Sequence, residues 1–77
     1  MLFRSEAIRH FNRAVQLDAE YPDAWFNLGR SYSQAGQYAE AVAPLQRALR
    51  LRPGLEVARR LLAEVQQKAA TGARVSR

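Results

Sequence analysis

The sequence predicts an all-α fold: an α-solenoid fragment of antiparallel helix–turn–helix repeats with four helices. Three observations predict it. Apolar residues recur at three- and four-residue spacing along most of the chain, with no period-two alternation that would make a strand. Turn residues at Pro22, Gly36, Pro53 with Gly54, and Gly72 cut the chain into helix-length pieces. Residues 6–17, EAIRHFNRAVQL, align with residues 40–51, EAVAPLQRALRL. Glu40 follows Glu6 by 34 positions, and Ala7/Ala41, Arg13/Arg47, Ala14/Ala48 and Leu17/Leu51 keep that offset. A fixed offset of this size is the mark of a stacked helical array.

The first helix is expected over residues 3–18. The second, over 22–35, opens at Pro22, whose missing N–H suits a first helical turn. Gly36 and Gly54 are expected at helix ends, where positive φ is common. The third helix, 38–52, contains Pro44, which removes one backbone hydrogen bond and crowds the carbonyl of Glu40; a mild bend is expected. The fourth, 55–70, carries Leu55, Ala58, Leu62, Val65 and Ala69 as a stripe able to cover the helices before it. Residues 71–77 read as a disordered basic tail.

Trp25, Leu28, Gly29 and Tyr32 stand at i, i+3, i+4 and i+7, one stripe of a helix. Ala41, Leu45 and Ala48 make the answering stripe on the next. Gly29 and the two alanines let the backbones approach, and Trp25 and Tyr32 fill the wider space beside them. Glycine there costs roughly 1 kcal/mol of helix propensity. The aromatic burial it permits is worth several times that, at roughly 25 cal/mol per Å².

Residues 22–55 resemble one complete tetratricopeptide repeat, on Trp25, Leu28, Gly29, Tyr32, Ala41, Leu45, Ala48 and Pro53. Residues 6–21 resemble the second helix of a preceding repeat, and 56–70 the first helix of a following one. The resemblance implies a protein–protein interaction module, a scaffold or assembly domain with no cofactor. It also implies a concave groove lined by the first helices of successive repeats: Phe26, Asn27, Arg30 and Ser33, then Arg60 and Glu64. An exposed Phe26 beside Arg30 and Arg60 would suit an extended segment with an apolar side chain and an acidic group. The plainer alternative is solvated surface. Some relatives clamp a C-terminal carboxylate with a Lys/Asn/Arg set. Asn27 matches one position, but Val57 and Leu61 stand where Lys and Arg are needed, so no such clamp is expected.

The two ends differ. At the 34-residue offset, Arg59, Ala63 and Gln66 replace Trp25, Gly29 and Tyr32, the polar outer face expected of a capping helix and of a true end of the array. At the other end, Ala7, Phe11 and Ala14 face where a partner helix should be, and Leu2 and Phe3 add apolar surface. Two readings stay open: a fragment of a longer array, or a homo-oligomer formed through helix 1.

Composition narrows the rest. There is no cysteine and a single histidine, His10, so neither a disulfide nor a zinc site is expected. No phosphate loop or carboxylate–histidine grouping is present, and the chain reads as a non-enzyme. Twelve basic residues against seven acidic give a net charge of +5. The alternative function is therefore a basic nucleic-acid or polyanion binder. Against it, the charges are scattered and interleaved with Glu40, Glu56 and Glu64, without a stacking stripe. No run reaches transmembrane length, so membrane insertion is not expected. The start, MLFRSEAIRH, is charged too early for a secretory signal. The chain thus reads as cytoplasmic, or as a piece of something longer.

Overall fold

The computed structural model describes residues 4–75, with side-chain surroundings for 6–71. Four helices follow in order: α1 (Arg4–Leu17), α2 (Pro22–Gln34), α3 (Tyr38–Leu51) and α4 (Glu56–Val75). α1 packs on α2, α2 on α3, and α3 on α4, with a slighter contact between α2 and α4. α1 and α3 do not touch. The body is 18 Å across its thinnest direction, about two helix layers at the usual 8–10 Å separation.

The turns are written locally. Asp18 Oδ1 accepts the Glu20 N–H at 3.1 Å, and Pro22 opens α2 without a side-chain cap at Tyr21. At the end of α2, Gly36 takes φ 80°. Its N–H donates to Ser33 O at 3.0 Å, and the Gln37 N–H to Tyr32 O at 2.9 Å. That pair of bonds satisfies two orphan carbonyls and needs a left-handed residue, which glycine supplies without strain.

Two expectations need correction here. Gly54 does not take positive φ; α3 instead ends on Arg52 at φ −140° and ψ 89°, outside the helical region. The fourth helix does not stop at 70 but runs to Val75, so residues 71–75 of the expected tail are helical. A lone glycine costs a helix about 1 kcal/mol and does not by itself end one. Thr71 fits the helix by donating its hydroxyl to Gln67 O at 2.8 Å. The last two residues lie outside the described ones.

Pro44 does not break α3; it is buried within the continuous helix. Ala41, Leu45, Ala48, Ala58 and Val65 form the main core, all at 0% exposure, and Leu55 and Leu62 pack against it. A second cluster joins α1 to α2: Val15, Ala24 and Leu28 are buried, with Ile8, Phe11 and Ala14 against them. Gly29 lies where the two layers meet most closely. An added Cβ would come 3.3 Å from Ala41 O and closer still to the Leu45 side chain.

Candidate functional site

α2 shows different faces to different neighbours because successive residues turn by about 100°. Trp25, Leu28 and Tyr32 share one face, and Phe26, Asn27, Arg30 and Ser33 lie on another. The Arg30 guanidinium sits over the Phe26 ring at 6.0 Å. Phe26 itself is half-buried and leans on the α3–α4 core. It is therefore not the exposed aromatic that the sequence leads one to expect, because α4 brings the core up to its flank. Asn27 and Ser33 are half-buried, and Arg30 is exposed.

On α4, Arg60 and Glu64 are both exposed. Glu64 is paired with Lys68 at 3.3 Å, one turn along, and Lys68 also lies 5.3 Å from the Tyr38 ring centre. Arg30 and Arg60 enter no ion pair among the described residues. The carboxylate of Glu64 is thus already engaged, while both arginines can take an outside acid. Val57 is 54% exposed and Leu61 is half-buried, two apolar side chains where a carboxylate clamp would need cations.

Of the residues read as a self-association face, Ala7, Phe11 and Ala14 are half-buried, and Phe11 and Ala14 pack against the α1–α2 cluster. Leu2 and Phe3 lie outside the described residues. Ala41, Leu45 and Ala48, the repeat equivalents, are wholly buried because α3 has α2 on one side and α4 on the other. α1 has only α2. On α4 the residues at the 34-residue offset, Arg59, Ala63 and Gln66, are all exposed. Arg59 closes the α3–α4 turn by donating to Pro53 O at 2.8 Å and to Glu56 at 3.3 Å.

Trp25 and Tyr32 pack against both core clusters, as expected, yet keep part of their surface open. Both are half-buried. Together with Leu28 they floor a cleft of about 470 Å³ walled by α3 residues, including Ala43, Pro44, Arg47 and Arg50. Trp25 Nε1–H donates to Ala19 O at 2.8 Å, and Arg47 covers the ring at 5.6 Å. Nothing marks Arg47 in the sequence as a site residue. The signal that could have found it is the spacing Glu40, Ala43, Arg47, Arg50 at i, i+3, i+7 and i+10, a stripe beside the buried one.

Among the described residues no group of acidic or histidine side chains is arranged to hold a metal, and no helix is long and apolar enough to cross a membrane. No curated protein matches the sequence. A family model for the tetratricopeptide repeat matches residues 4–65, which spans α1, α2, α3 and half of α4. With paired antiparallel helices, a 34-residue offset and a small-residue contact at Gly29 behind that match, the chain belongs to the tetratricopeptide repeat family.

Proposed function

We propose that the chain is an assembly module whose groove between α2 and α4 binds an extended segment of another protein, one with an apolar side chain next to an acidic group. The family is generally a protein–protein interaction module. The observation that carries the finer reading is the Arg30 guanidinium over Phe26 at 6.0 Å, with an exposed Arg60 on α4 and neither arginine in an ion pair among the described residues. An aromatic flank supplies apolar contact, and two unpaired guanidiniums supply bidentate donors for a carboxylate. Asn27 and Ser33 offer polar contacts to a peptide backbone. The groove spans only two first helices, so affinity should be modest, micromolar or weaker.

Selection from a displayed peptide library followed by titration tests this. Acidic peptides should be recovered, and Arg30→Glu or Arg60→Glu should weaken their binding about tenfold or more. Recovered peptides that ignore both substitutions would remove the groove from consideration. Saturable binding of arbitrary oligonucleotides that disappears with modest salt would favour the polyanion reading instead.

A second contact follows from α1, whose Ala7, Phe11 and Ala14 are covered on one side only. This face is the natural seat of a further helix, either from a longer array or from a second copy.

A further inference from the structure

We propose that the cleft between α2 and α3 is a second docking site, separate from the groove, and that it takes an apolar side chain adjoining a carboxylate from an acidic partner segment. Its floor is apolar: Trp25, Leu28 and Tyr32 from α2, with Pro44 and Ala43 at the α3 wall. At about 470 Å³ it falls within the usual size of a recognition pocket. Arg47 and Arg50 stand along its α3 side, and Glu40 lies at the other end of the same stripe.

The charge at the Arg47 end is uncompensated. Arg47 and Arg50 enter no ion pair among the described residues, whose three pairs employ Arg52, Arg59 and Lys68 instead. Arg47 Nε is shielded from solvent and has no hydrogen-bond acceptor. What holds the guanidinium is the face of Trp25, 5.6 Å away. An aromatic ring fixes the position of the cation without consuming its charge, so a carboxylate entering beside it meets a preorganised donor. Glu40 repels an acid at the far end, which fixes the direction of the segment: carboxylate toward Arg47 and Arg50, apolar side chain over Tyr32 and Pro44.

This site differs in kind from the groove. Its aromatic is Trp25 rather than Phe26, its cations come from α3 rather than from α2 and α4, and it lies on another face of α2. The two sites can therefore be lost separately.

Trp25 is the one tryptophan of the chain, so its emission reports the cleft directly. Two capped dipeptides serve as probes, acetyl-Leu-Asp-amide and its neutral isostere acetyl-Leu-Asn-amide, each titrated against the intact protein. The acid should shift Trp25 emission saturably, with the amide about fivefold weaker or more. Arg47→Gln should bring the two to parity. Arg50→Gln, at an exposed position, should weaken the acid a few-fold even if Arg47→Gln disturbs folding. Arg30→Ala should leave the titration unchanged. Equal binding of acid and amide would overturn the proposal, as would the absence of any Trp25 response. So would loss of the response in Arg30→Ala, which would assign it to the groove. A single-stranded oligonucleotide displacing the acid at low peptide occupancy would also overturn it, making the site a phosphate site.

Discussion

Leu45 occupies the space where a side chain on Gly29 would have to go: an added Cβ would lie 2.6 Å from Leu45 Cγ and 2.8 Å from Cδ2. Leu45 is wholly buried and cannot swing into solvent. Gly29→Ala gains about 1 kcal/mol of helix propensity but forces an overpacked core, which costs about 1–3 kcal/mol. The second effect wins, and a net loss of stability is expected in urea or thermal melts followed by circular dichroism. The loss should vanish or reverse in a Leu45→Ala background, where the double-mutant cycle isolates the clash. A Gly29→Ala protein as stable as the parent would show that the contact gives way.

The two turn glycines should respond oppositely to alanine. Gly36 sits at φ 80°, where a Cβ costs about 1–2 kcal/mol, so Gly36→Ala should lower the midpoint. Gly54 has no positive φ and open space around it. Gly54→Ala should raise stability by about 0.4–1 kcal/mol by reducing the freedom of the unfolded chain. Thermal melts of the pair, run side by side, check both signs.

Trp25→Phe keeps an aromatic ring under Arg47 but removes the indole N–H that donates to Ala19 O at 2.8 Å. That bond ties α2 back to the α1–α2 turn. Its loss should cost about 0.5–1.5 kcal/mol and should raise amide hydrogen exchange in that turn more than in the α3–α4 pair.

Surface ion pairs should matter little. Glu64 and Lys68 approach to 3.3 Å with both side chains about half exposed. Glu64→Gln should change stability by about 0.5 kcal/mol or less. It should instead leave Lys68 free and weaken the repulsion of acidic peptides from the groove, measurable as tighter binding of the selected peptides.

The open face of α1 predicts self-association or further covering. Light scattering over a concentration series should give a mass above the 8.7 kDa of one chain. Phe11→Glu, which places a charge on the half-buried face, should reduce that mass. A monodisperse 8.7 kDa species that unfolds cooperatively would show that no second copy covers α1.

The pattern of helices, the position of their turns and the identity of the tight contact were legible because each depends on local rules. Apolar spacing writes a helix face, Pro22 writes a start, and Gly36 writes an end with the φ that only glycine takes easily. The boundary at Val75 was not legible, because a single glycine is a weak stop. Nor was the half-burial of Phe26, which depends on how far α4 leans in.

The sequence by itself determined an all-α repeat array with Gly29 packed tightly against α3 at Ala41 and Leu45. Tertiary structure alone decided how deeply equivalent residues are buried: Ala7, Phe11 and Ala14 half covered, Ala41, Leu45 and Ala48 completely. It also decided that Arg47 lies over Trp25 in an open cleft. The physical reason is that helix faces are set by neighbours a few residues apart in the chain. Burial is set by what packs on both sides, and among the described residues α1 has one neighbour where α3 has two.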